Sequence, residues 1–155
     1  MRIDVYPFRE GALVPTKGSQ GAAGFDIYAW TEEPVLLRPG NIKLIKTGIC
    51  VRVPEGWEMQ IRPRSGMALK YGITVLNGPG TLDAGYFCSP DENPEDYEVG
   101  VILVNHSNWD YLVNKGDRIA QGVFAQVPEI NLCKSTNRWW FKDDDRKGGF
   151  GSTGR

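Results

Sequence analysis

The sequence has little histidine, little cysteine, no excess of charge of either sign and no long apolar run. His106 is the only histidine in 155 residues, and Cys50, Cys88 and Cys133 lie far apart without CxxC spacing. A zinc centre and a disulfide framework are both disfavoured, so any chemistry has to run on other groups. Lys and Arg number 18 against 19 Asp and Glu, for a net charge of -1. That balance leaves no broad basic field for sequence-independent nucleic-acid binding, and an anion has to be held locally. No stretch is long or apolar enough for a transmembrane helix, and the first residues follow a strand pattern where a signal peptide needs an apolar core. The expectation is one domain, residues 1–155, in a reducing cytoplasmic, nuclear or virus-infected setting, with neither membrane nor nucleic acid as partner.

What is present is glycine and proline, 19 and 10 of them, punctuating short β-rich runs. Hardly any segment keeps a helical period for three turns, which predicts an all-β fold. Strands are expected over residues 2–8, 25–30, 35–37, 42–53, 57–62, 98–104, 111–113 and 118–127, with a small-residue loop at 18–24. Asp26 falls inside the second of these, as an edge or turn aspartate or as a functional carboxylate. In the last, alternation buries Ile119 with Val123 or else Ala120 with Phe124, and Gln121 becomes a polar group in need of a partner or a donor to phosphate. Asn105 to Trp109 reads as a turn, with His106 at the surface.

Residues 63–86 read PRSGMALKYGITVLNGPGTLDAGY and organise the rest. Arg64, Ser65 and Gly66 precede a short helical run, so a serine N-cap is expected, with free backbone N–H groups able to face an anion. The run turns strand-like at Ile73, breaks at Asn77-Gly78-Pro79-Gly80 and resumes as Thr81-Leu82-Asp83. Asp83 is then either a turn residue or a reactive carboxylate. The acidic, proline-bearing residues 87–97 form a loop, and 81–86 with 98–104 read as the two arms of a hairpin around it. After Pro128 the sequence becomes glycine-rich; residues 137–155 cannot fold alone and read either as a disordered terminus or as an arm that closes on a ligand. For the latter, Arg146, Lys147, Ser152 and Thr153 suit phosphates and Phe150 suits a base.

Five stretches, AGFDIYA from Ala23, RPRSGMALKYG from Arg62, NGPGTLDAGY from Asn77, GDRIAQ from Gly116 and GGFGSTG from Gly148, resemble in order and spacing the five motifs of the trimeric deoxyuridine triphosphatase (dUTPase) family. The resemblance covers nearly the whole chain. It implies a distorted jelly roll with one short helix and a flexible C-terminal arm reaching a neighbouring subunit, three shared sites per homotrimer, and magnesium-assisted hydrolysis of dUTP to dUMP and pyrophosphate. Such an activity limits uracil in DNA and supplies dUMP for dTTP synthesis. By similarity Arg64, Ser65, Gly66 and Gln121 bind phosphates, Asp26 holds magnesium through water, and Asp83 is the general base. Gly80, Gly100 and Asn77 form the uracil pocket, Tyr86 packs under the deoxyribose, and Phe150 covers the base.

Two departures stand out. Eleven residues, 87–97, replace the usual two-residue turn after the tyrosine; they are neutral, or cap the uracil pocket, or dock another protein, with neutral ranked first. The usual arm arginine, five residues before Phe150, is Asp145, which leaves Arg146 or Lys147 to supply the charge. A dCTP deaminase on the same fold would need a glutamate base, and TLDAGY carries aspartate and tyrosine instead. The alternative in another class is a nucleotide-binding regulatory protein that uses the inserted loop to engage a partner.

Overall fold

The computed structural model describes residues 1–136. Within them the short alternating runs become twelve strands and one helix. The strands are β1 (Asp4–Pro7), β2 (Thr16–Lys17), β3 (Phe25–Tyr28), β4 (Val35–Leu37), β5 (Ile42–Lys46), β6 (Ile49–Arg52), β7 (Trp57–Arg62), β8 (Ile73–Val75), β9 (Gly80–Leu82), β10 (Gly100–Asn105), β11 (Tyr111–Val113) and β12 (Arg118–Gln126), with helix α1 (Ser65–Tyr71) between β7 and β8. All pairings are antiparallel: a five-stranded sheet in the order β2-β3-β12-β7-β9, a three-stranded sheet β5-β10-β8, and the pairs β1-β6 and β4-β11.

Inward residues from these sheets meet in one core. Ile27, Leu37, Ile45, Ile49, Met59, Ile73, Leu103, Val113 and Ile119 are each no more than 1% exposed and belong to a single cluster. Burying each such side chain stabilises the fold by about 1.5–3 kcal/mol before chain entropy is counted.

Three expectations change in the structure. The long strand over 42–53 is split, because Gly48 takes a φ of +70° between β5 and β6, a conformation only glycine adopts without strain. In β12 both Ile119 and Ala120 are buried, where alternation allowed one. A register shift between Arg118 and Ala120 against β3 is the cause, since a bulge turns consecutive side chains to the same face. The arms flanking residues 87–97 do not pair with each other. β9 joins β7, with Ile61 opposite Gly80, while β10 joins β5 and β8, so the chain crosses between sheets there. Within the inserted stretch a 3-10 turn forms over Pro94–Tyr97.

Candidate active site

The phosphate-binding candidates are brought together by strand register. Gln121 on β12 lies opposite Asp26 on β3 on one side and Arg62 on β7 on the other. Directly opposed residues share a face, so a carboxylate, an amide and a guanidinium form one row across three strands. The chain then leaves β7 through Pro63 into α1, and Gln121 Nε2 donates to the Pro63 carbonyl at 2.9 Å. This is the partner that a polar residue in a buried strand required.

Asp26 sits between two cations. Arg64 Nε donates to Asp26 Oδ1 at 2.9 Å and Arg118 Nη1 to Oδ2 at 3.2 Å; the Asp26 side chain is 14% exposed. Arg64 also donates to the Arg118 carbonyl at 3.0 Å. Arg118 and Arg62 have no assigned role in the sequence reading. Their signals are their places in GDRIAQ, three residues before Gln121, and in RPRSG, two before Arg64.

The N-cap of α1 is Arg64, in extended conformation and without a side-chain cap bond, and Ser65 is the first helical residue. The cap therefore falls one residue before the expected serine, within the usual variation of a helix end. The first helical bond runs from the Ala68 N–H to the Arg64 carbonyl at 3.1 Å, which leaves the N–H groups of Ser65, Gly66 and Met67 outside the helical ladder. Asp26, Arg62, Arg64, Ser65, Gly66, Arg118 and Gln121 border a cavity of about 470 Å³ floored by the small residues Gly18, Ala22, Ala23 and Gly24.

Asn77, Gly80, Tyr86 and Gly100 gather around a second, narrower cavity of about 170 Å³ between the splayed arms. β9 is an edge strand, and β8 pairs with β10 only from Leu103 onward. Backbone groups of both arms are therefore outside any ladder where they face this space. A methyl group on Gly80 would come within 3.1 Å of Asn77 Nδ2. Tyr86 borders the cavity and donates its hydroxyl to the Glu98 carbonyl at 3.2 Å; burial is the main cause that raises its phenol above the usual range. Asp83 is exposed just past the end of β9, not within the strand, in a turn closed by the Tyr86 N–H on the Asp83 carbonyl at 3.0 Å.

The two cavities share no bordering residue. Ile61 serves the narrow one and Arg62 the wide one, and adjacent side chains of a strand leave opposite faces. Arg146, Lys147, Phe150, Ser152 and Thr153 lie outside the described residues.

Among the described residues, no three His, Cys, Asp or Glu gather as a ready-made metal cage. Magnesium does not require one, since it keeps several waters and takes ligands from substrate phosphates alongside one or two carboxylates. Asp26 spends two of its roughly four lone-pair positions on guanidinium groups, and the others remain for metal-bound water. The donor set fits a cation that arrives with a triphosphate.

The sequence pattern of the dUTPase family matches residues 10–154. A deoxyuridine 5'-triphosphate nucleotidohydrolase of Neorickettsia sennetsu is 43% identical over 155 residues, which cover 99% of this chain and 95% of that one. Its counterpart in Treponema denticola is 44% identical over 147 residues, 94% of each chain. Among solved structures, the Staphylococcus bacteriophage 80alpha dUTPase with dUPNHPP aligns with a TM-score of 0.81 over 99% of both chains at 24% identity. That likeness is one of fold, and the fold is the distorted jelly roll that the motifs imply. By the near-complete span of the family pattern and of its curated relatives, the chain belongs to the dUTPase family.

Proposed function

We propose that the protein hydrolyses dUTP to dUMP and pyrophosphate at a site completed by neighbouring copies in a homotrimer. The observation that carries the reading is the division of labour between two cavities: one lined by cations and the start of α1, the other narrow and bordered by Gly80 and Gly100 at the facing edges of β9 and β10. A triphosphate suits the first. A uracil edge, read by main-chain groups near Gly80 and Gly100, suits the second.

Asp83 is the general base. Its exposed carboxylate orients and deprotonates a water for in-line attack at the α-phosphorus, and pyrophosphate departs. Arg64, Ser65, Gly66 and Gln121 hold the phosphates, with Arg146, Lys147, Ser152 and Thr153 closing over them. Asp26 would hold magnesium through water, and the ion would supply positive charge to offset that of the triphosphate. Tyr86 packs under the deoxyribose and leaves no room for a 2′-hydroxyl, Asn77 supports the pocket, and Phe150 covers the base.

The same division supports a site shared between copies, as in the proposed homotrimer. Cavities served by opposite faces of β7 do not present one nucleotide with both halves of a site, whereas two copies do. The three cysteines are unpaired, Cys50 buried and Cys133 exposed, in keeping with a cytoplasmic setting.

The test is pyrophosphate release from dUTP, dCTP, dTTP and UTP with magnesium, for the intact chain and for Asp83→Asn. Release from dUTP alone, reduced on the order of 10²–10⁴-fold in the variant, is the expected result. Equal release by the variant would remove Asp83 from its role, and no release from any nucleotide would overturn the activity.

A further inference from the structure

The inserted residues 87–97 are braced internally. Glu92 accepts the Tyr97 hydroxyl at 2.6 Å and the Ser89 N–H at 2.9 Å, while Asn93 caps the 3-10 turn by accepting the Glu95 N–H at 3.1 Å. These bonds brace the segment within itself. It is also tied to the body at three points, one of them the Arg52 guanidinium over the Phe87 ring, 5.2 Å from its centroid. Arg9 Nη2 reaches Glu95 at 3.0 Å and Glu98 at 3.2 Å, and the Cys50 thiol donates to the Pro94 carbonyl at 3.3 Å.

Two further contacts reach Tyr86. The Tyr97 ring meets the Tyr86 ring edge to face, with centroids 5.8 Å apart and planes at 62°. The Tyr86 hydroxyl donates to the carbonyl of Glu98, and the side chain of that same Glu98 is held by Arg9 and by the Gly48 N–H at 2.8 Å. Arg9 is fixed in turn against the Trp30 ring, 4.7 Å from its centroid. Tyr86 is thus gripped at its ring by the insertion and at its hydroxyl by a residue that the insertion shares through Arg9.

We propose that residues 87–97 set the sugar selectivity of the site by fixing the Tyr86 ring, with Tyr97 as the positioning residue. The inference rests on the reading of Tyr86 as the wall under the deoxyribose. A ring free to tilt makes room for a 2′-hydroxyl, and the insertion takes that freedom away. The extra segment therefore belongs to substrate discrimination, neither neutral nor a docking loop.

The experiment compares kcat/KM for dUTP and for UTP, with magnesium, in the intact chain, Tyr97→Ala and Tyr97→Phe. The dUTP preference of Tyr97→Ala falls about 3- to 10-fold, the weight of one aromatic edge contact, through a gain on UTP. Tyr97→Phe keeps the ring and keeps the preference. Simple destabilisation lowers both substrates alike and leaves their ratio in place. Should the alanine variant melt below the assay temperature, Tyr97→Leu retains apolar volume without the ring edge and takes its place. An unchanged ratio in folded Tyr97→Ala or Tyr97→Leu, or a loss in Tyr97→Phe equal to that of alanine, overturns the proposal. If the intact chain itself turns over UTP as well as dUTP, the reading of Tyr86 falls instead.

Discussion

Arg64 is bonded to Asp26 at 2.9 Å, and this one bond ties the start of α1 to strand β3 across 38 positions of sequence. The side chains are 25% and 14% exposed, so solvent screens the pair only in part. Asp26→Asn keeps an acceptor but removes the charge that Arg64 and Arg118 share. Two guanidinium groups are then left facing each other, and urea denaturation of the ligand-free protein should show a loss of about 1–3 kcal/mol, read as a lower midpoint at unchanged slope.

Gln121 offers two N–H groups, and the Pro63 carbonyl takes one. On the proposed reading the other is for a phosphate oxygen. Gln121→Glu removes both donors and sets a carboxylate against a carbonyl and an anionic substrate. The expected outcome in steady-state kinetics is a fall in kcat/KM for dUTP of about 10- to 100-fold, the weight of one hydrogen bond to a charged group plus repulsion. A change below twofold would take Gln121 out of phosphate binding.

Asn105 is fully buried and spends its whole amide. Its Nδ2 donates to the carbonyls of Leu37 and Trp109, both at 2.8 Å, and its Oδ1 accepts from the Ser107 N–H and hydroxyl. Asn105→Ala removes all four bonds at once, and only the Ser107 hydroxyl and the Trp109 carbonyl, 3.0 Å apart, keep a bond to each other. Thermal and chemical unfolding should register a cost of about 3 kcal/mol or more, beyond the loss from any one bond, because the network acts together.

The Cys50 thiol is pushed up from 9.0 to about 11, chiefly by burial and secondarily by Cys88 and Glu98. A raised folded value means the fold holds the proton more tightly than the open chain does. The contribution is complete below pH 9.0 and is lost as pH rises toward 11. Melting temperature should drop across that window in the intact chain more steeply than in Cys50→Ala. At pH 8, iodoacetamide followed by mass spectrometry should mark exposed Cys133 well before buried Cys50, since the thiolate is the reacting form.

Segments with a regular period were legible without coordinates. β7, β11 and β12 fall within the expected bounds, because each is an apolar-rich run between turn residues. β2 is two residues long, carries no period and disappears into the loop before Ala22. Asp26 was legible as a carboxylate of interest, but its pairing with Arg118 spans 92 positions and leaves no local trace. Asn105 looked like turn punctuation because a buried polar residue and an exposed one are spelled alike; only the four bonds distinguish them. A loop between two apolar runs is the usual hairpin pattern, and it predicts pairing of the arms around residues 87–97. In the structure β7 and β5 compete for those edges and win, and the gap left between the arms is the narrow cavity itself.

The placing of the two cavities on either side of β7 has a genetic consequence. Under the shared-site reading, a chain damaged at Asp83 and a chain damaged at Arg64 are each inert alone, yet mixed before assembly they regain part of the lost turnover, because some sites draw an intact half from each. The same arithmetic makes a chain damaged at both residues harmful beyond its own dose, since its two spoiled halves enter two different sites, whereas damage at one residue costs turnover only in proportion.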